Sequence, residues 1–397
     1  MQRCVLHDLL RDFAIARSKE EHFMHRLRGQ ELNGCLEARQ RYRLTIDFSG
    51  AEKFSESRSL YPRLRTLLFV TKPEVYQLPT SLYKFFQFKL IRVLVLSPGF
   101  EFDTFPCVIL LLVQLKYLDF AVSYFVSEII IPSSILNLSD LETLIVGGDR
   151  VLLPDTLWGM KKLRHLDGAW EWILPSEIPV ANLENLQTFS TVRFTCSQTM
   201  VGVVKKLPNL RTLRCDLDLG GGECTVDFIT LTQLESLYIT TTRGPNFFQF
   251  RFPQNLKDLS LYSTCLPWNE VSAIGRLPNL EALRLNGNKC KGENWDIEEE
   301  GTFSKLRVLE LYNMMSLERW TTASDDNFPS IETLILDHCN RLKEIPSCIA
   351  QSSTLQMIKV WSCPRVFDSV KEIHEMQMDY GNEDLRIYLD GQQLTKE

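Results

Sequence analysis

Six histidines and eleven cysteines are the side chains in this sequence suited to nucleophilic, acid–base or metal chemistry. Their spacing argues against all three. His7, His22, His25, His165, His338 and His374 are scattered, and none stands at a zinc-ligand interval from a cysteine. The cysteines occur singly, without a Cys-x-x-Cys pair, and their odd number leaves one outside any disulfide scheme. That is the pattern of reduced, mostly buried thiols in a cytosolic protein. His338 directly precedes Cys339, and a core-edge position suits the dipeptide better than a catalytic Cys–His pair. "GNKCKGEN", from Gly287, has the two glycines of a phosphate loop but Glu293 and Asn294 where Lys and Ser/Thr are required. "LGGGE", from Leu219, is followed by no helix signal. No enzyme, cofactor or metal site is expected.

Charge excludes further classes. The net charge of −6, without a basic stripe, leaves no attraction to nucleic acid or anionic lipid. The longest apolar run, "FPCVILLLVQL" from Phe105, is too short for a membrane span. "MQRCVLHDLL" lacks the basic-then-apolar order of a signal peptide, and a single Asn-x-Ser/Thr acceptor stands at Asn137. A cytoplasmic protein is expected.

The organising feature is a repeat. "LKYLDF" (Leu115), "LETLIV" (Leu141), "LRTLRC" (Leu210), "LESLYI" (Leu234), "LEALRL" (Leu280) and "LRVLEL" (Leu306) are the clearest of about fourteen units spaced roughly 22 to 27 residues apart. In L-x-x-L-x-L the fourth and sixth positions alternate with polar ones, as in a half-buried strand. Many returns carry apolar-Pro-x-x-apolar, as in "LPTSL" (Leu78), "IPSSI" (Ile131), "LPDTL" (Leu153), "LPSEI" (Leu174) and "IPSCI" (Ile345). Proline turns the chain from the ladder while its apolar flanks point back into the core. One unit cannot bury its leucines alone, so stacking is required. The reading is an α/β leucine-rich-repeat solenoid. It is a curved horseshoe with parallel strands on the concave face and irregular or short-helical returns on the convex face. The stack is expected to be least regular over Cys215–Pro253, where the proline marker is missing.

In this frame the fifth and seventh hexad positions face outward on the concave side. Arg214, Tyr238, Tyr262, Arg284, Glu310, Tyr312, Asp337 and Trp361 fall there, with Trp170 one step further along its strand. Tyr, Trp and Arg are the types enriched at binding hot spots, so these residues form the candidate partner-binding surface. At the far end Val370, Ile373 and Met376 suit an amphipathic helix, and "LRIYLD" (Leu385) alternates like a strand. Together they read as a cap. At the near end Leu6, Leu9, Leu10 and Phe13 give a helical stripe that needs a partner surface.

"VLHDLLRDFAIARSKEEHF", from Val5, resembles the segment around the Met-His-Asp motif of plant nucleotide-binding leucine-rich-repeat immune receptors, with Leu6-His7-Asp8 in the motif position. The "LP/IP" returns resemble the same receptors. "VKEIHEMQMDYGNEDLRIYLDG", from Val370, is similar to the end of the coiled-coil, late-blight-resistance type. The resemblance implies that His7 is the remnant of a histidine that reads the phosphate of ADP, with Asp8 supporting the local geometry. It implies residues 1–40 as the end of a winged-helix part of the nucleotide-binding region plus linker. Residues 41–365 are then the solenoid and 366–397 the C-terminal cap. With no Walker-A loop in the sequence, no nucleotide site is expected in this chain, which reads as starting inside a domain. The implied function is protein recognition: a pathogen effector or guarded host protein, and the nucleotide-binding region of the same receptor in a full-length homologue. The alternative is a leucine-rich-repeat substrate adaptor of a ubiquitin ligase, for which about 40 residues of non-repeat sequence leave little room for a ligase-binding domain. A secreted ectodomain fits poorly without a signal peptide and paired-cysteine caps.

Overall fold

Leucines at the first, fourth and sixth hexad positions form strands because alternation puts the last two on one face, where the next repeat covers them. The computed structural model describes residues 25–27, 42–47, 61–70, 88–96, 101–123, 125–175, 177, 180–195, 197–218, 223–243, 247–264, 266–287, 292–298 and 301–394. The opening stripe with His7 and Asp8, "LPTSL" at Leu78 and Leu219–Gly222 lie outside them. Contacts divide the chain between Thr191 and Val192 into two units.

In the first unit the strands His25–Leu27, Arg43–Asp47, Thr66–Val70, Val93–Val95, Tyr117–Val122, Thr143–Leu152 and His165–Ile173 pair in order, all parallel. Among the described residues the first rung is His25–Leu27, inside the stretch expected to be helical remnant and linker. Leu115, Leu118 and Phe120 are buried, as are Leu141, Leu144 and Val146. Burial of each such side chain is favourable by about 1.5–3 kcal/mol. Pro132 and Pro154 precede short 3-10 helices, Ser133–Asn137 and Asp155–Gly159, and Ile131, Ile135, Leu153 and Leu157 point into the core as the proline marker predicts. A flank sheet follows the ladder. Ile129–Ile130 pairs with Val151–Leu152, which pairs with Trp172 and Ile173. The strand reaches that flank by a corner at Gly168, whose φ of 103° is left-handed. A side chain there would also meet Ile145 and the Val146 carbonyl at 2.9 Å, so only glycine fits.

In the second unit Thr212–Asp218, Ser236–Arg243, Asp258–Tyr262, Ala282–Asn286, Val308–Tyr312, Thr333–Asp337 and Met357–Trp361 form the same parallel ladder. The stretch expected to be least regular carries one register shift, and its other described strands pair evenly. Thr212–Asp218 and Ser236–Arg243 stay in register apart from one shift between Leu217 and Asp218, and the flank strands Glu223–Asp227 and Phe247–Arg251 pair residue for residue. A second flank pair, Asn294–Ile297 with Arg319–Thr322, carries a buried stack of Trp268, Trp295 and Trp320 with ring centroids 5.1 and 4.9 Å apart. Ser263, Asn313, His338 and Ser362, each just past a ladder strand, take left-handed φ and turn the chain off the sheet.

The terminal segment forms the helix Phe367–Asp379, with Val370 and Ile373 buried and Met376 half-buried. Gln377 is buried too, donating to the carbonyls of Ala350 and Ser352 and accepting from Asn382. As its alternation predicts, "LRIYLD" forms a strand, Arg386–Leu389, which pairs in parallel with Met357–Trp361 and turns back antiparallel on Gln392–Gln393. Cys215, Cys339, Cys348 and Cys363 are buried as expected, but Cys107 is exposed.

Candidate partner-binding face

Parallel register lines up equivalent positions of successive hexads. The fifth-position row of the second unit runs Arg214, Tyr238, Ser260, Arg284, Glu310, Ile335 and Lys359. The seventh-position row runs Asp216, Thr240, Tyr262, Asn286, Tyr312, Asp337 and Trp361. All eight side chains singled out by sequence thus stand on these two adjoining rows. The sixth positions between them (Cys215, Ile239, Leu261, Leu285, Leu311, Leu336 and Val360) are buried.

Six of the eight fall into two linked groups, Arg214–Tyr238–Tyr262 and Arg284–Glu310–Tyr312. Tyr238 stacks on Tyr262 with centroids 4.7 Å apart, and the Arg214 guanidinium lies over Tyr238 at 5.6 Å. The exposed Arg214 has that aromatic face as its contact, leaving its N–H groups toward solvent. Arg284 bridges Asp258 at 2.7 Å and Glu310 at 3.3 Å. Its half-burial works against the charge, but the hydrogen bonds and charges of Asp258 and Glu310 hold it above its ordinary pKa. The Tyr312 hydroxyl donates to Glu310 at 3.0 Å. Burial, and then Glu310, push that phenol upward, so it stays a donor. Asp337 meets His338 Nδ1 at 2.5 Å and stands in register with Trp361. At the last rung Lys359 lies over Tyr388 at 5.8 Å. Trp170 is in the first unit, 79% exposed, two residues past Gly168.

This band is a surface of aromatic rings and preset charges, not a reactive constellation. Burial raises the Cys215 thiol out of the nucleophilic range. Cys339 turns into the core, where its N–H donates to Cys363 Sγ at 3.1 Å, so it does not meet His338 across a cleft. Among the described residues no group of three or more His, Cys, Asp or Glu could hold a metal ion. Among them, too, no helix is long and apolar enough to cross a membrane.

The inner wall of the first unit holds a residue that sequence reading missed. Asp119, the fifth position of "LKYLDF", is half-buried between Val95 and Ile145 in register. Burial pushes its carboxyl up to about 6. The neighbouring Asp167, by contrast, accepts from Gly168 N–H at 2.8 Å and Ser190 Oγ at 2.6 Å. The folded state holds the Asp119 proton more tightly than an unfolded aspartate does, so the native state loses stability as pH rises from about 4 through about 6. Asp119→Asn is expected to exceed the parent in stability by about 1–2 kcal/mol near neutral pH, after discounting for solvent screening, and to match it below about pH 4. Urea unfolding at the two pH values checks this.

Comparison with known proteins agrees with the geometry. A family model described as a leucine-rich repeat region matches residues 64–387. Late blight resistance protein homolog R1B-16 of Solanum demissum is 32% identical over 98% of this chain and 31% of its own length. Homolog R1B-23 of the same plant is 30% identical over 96% of this chain and 31% of its own length. The chain therefore spans about a third of the length of those two relatives. The solved plant peptide hormone receptor RGFR1, in complex with RGF2, superposes with a TM-score of 0.52 at 16% identity, covering 92% of this chain and 56% of that one. A repeated hexad, its parallel ladder and a family match over most of the length lead to one assignment: the chain belongs to the leucine-rich repeat family and is related along nearly its whole length to late blight resistance protein homologues.

Proposed function

We propose that this chain is the protein-recognition module of an intracellular plant immune receptor, sensing a pathogen effector or a host protein that an effector alters. The observation that carries the reading is the band made by two linked groups, Arg214–Tyr238–Tyr262 and Arg284–Glu310–Tyr312, on adjoining rows of a wall whose backbone is fixed by the ladder. Stacked rings present large apolar area at little further entropic cost, because their rotamers are already set. The Arg284 bridge fixes the positions of charges that a partner must match. In this reading the chain supplies recognition, while switching belongs to sequence that the relatives carry outside the matched part. Recognition drives such a switch only if the partner binds one receptor state better than the other.

The test is a graft. This chain replaces the matched segment of the R1B-16 homologue, and leaves expressing the graft are challenged with secreted pathogen proteins, with defence cell death as readout. A response specific to some of those proteins, and absent when the segment is deleted, is the expected result. A graft that accumulates normally and responds to none of them, or that responds without any challenge, contradicts the proposal.

A further inference from the structure

Carboxylates on the inner walls have partners within the fold. Asp167 is held as above, Asp216 and Asp218 face Arg193, Asp258 and Glu310 share Arg284, and Asp337 meets His338. Asp119 is the exception: its side chain has no hydrogen bond or ion pair among the described residues. Its flanking neighbours in register, Val95 and Ile145, offer no donor. Along its own strand Tyr117 and Ala121 share its face. Basic side chains just before its strand and on the next strand have other partners. Lys116 pairs with Glu142, Arg150 bridges Glu128 and Glu171, and Tyr117 feels both Asp119 and Asp167 as like-sign neighbours of its own anion.

A half-buried charge without a counter-charge is costly, and among the described residues no side chain is held in place by this one. We propose that Asp119 is the seat for a basic side chain, arginine in preference to lysine, of the protein that the inner wall recognises. The inference rests on the recognition reading and deepens it by naming the partner's chemistry. Charge excludes an acidic partner group. A divalent ion is disfavoured because, among the described residues, no group of three or more His, Cys, Asp or Glu could hold one there. The surroundings suit the rest of an arginine: Val95 and Ile145 take the aliphatic stem, and the Tyr117 ring is beside the carboxylate to receive the guanidinium face. Two parallel N–H donors then satisfy both carboxylate oxygens.

The experiment uses the full chain labelled with carboxyl-¹³C aspartate. Its Asp119 titration is followed by NMR with N-acetyl-arginine methylamide, and with the neutral N-acetyl-citrulline methylamide as control. The arginine probe is expected to lower the Asp119 midpoint by about one pH unit, and citrulline to leave it unmoved. Asp119→Asn, which should fold at least as well as the parent, is expected to weaken probe binding at least about fivefold. Asp119→Leu should do the same. An Asp119 midpoint indifferent to both probes, or probe binding unchanged in both variants, overturns the seat. In that event the recognition reading stands or falls separately, on whether the Tyr238–Tyr262 band governs partner binding in the graft.

Discussion

Trp295→Ala is expected to destabilise the second unit by about 4–5 kcal/mol, near the top of the range for removing a buried aromatic side chain. Trp295 is fully buried and stacks on both neighbours, Trp268 and Trp320. Its edge also meets Phe303 and Phe328. Its N–H donates to Ser272 Oγ at 3.1 Å, so truncation removes a hydrogen bond as well as opening a void. The position matters as much as the volume. In a stack of repeats, stability is a sum of weak units and strong nearest-neighbour interfaces, and this ring is the interface between successive flank segments. The loss should therefore appear as a split transition. Differential scanning calorimetry should show the melting point of the affected part falling by about 10–15 °C. Limited proteolysis should place the first cuts between Gly292 and Phe328. Trp295→Phe, which keeps a ring in the stack, should recover more than half of the loss. A single transition at the parent temperature would show that the stack does not couple the repeats.

The double substitution Tyr238→Ala/Tyr262→Ala is expected to weaken binding to whichever protein triggers the graft by at least about thirtyfold, the 2 kcal/mol that defines a hot spot. It removes the stacked pair, and it removes the ring that positions Arg214. Both tyrosines are half-buried on the sheet surface rather than in the core. Stability should therefore fall by only about 1–2 kcal/mol, the worth of the stack and the cross-strand contacts. Tyr380→Ala is the control: that side chain is 64% exposed at the end of the terminal helix and should change neither quantity. Titration calorimetry on the full chain and its variants separates the two effects.

The hexads were readable from the sequence because leucine at positions one, four and six leaves a signature that short-range sterics and burial enforce in every unit. The eight surface residues followed by counting, since a strand's period of two puts positions five and seven on the same face. The returns obey no such rule. Their lengths vary, so Trp268, Trp295 and Trp320 never come into column by eye, although intervals of 27 and 25 residues place them in successive returns. Asp119 was hidden for another reason. Its identity was plain in "LKYLDF", but its significance lies in its neighbours, Val95 and Ile145, and shows only when three hexads are aligned and read across. The terminal "LRIYLD" alternates like a strand and forms one, which the ladder accepts through backbone hydrogen bonds that make few demands on side chains. Pairing of His25–Leu27 with Arg43–Asp47 escaped notice on the same ground.

The most direct test of the account is a substitution scan of every exposed residue of the grafted chain, scoring protein abundance and defence response separately. Substitutions that abolish the response at normal abundance are expected to fall on the fifth- and seventh-position rows, with Tyr238, Tyr262 and Arg214 among the most sensitive and Asp119 marking the first unit. Response-specific losses concentrated instead on the 3-10 helical returns or the flank strands, with the two rows tolerant throughout, would contradict it.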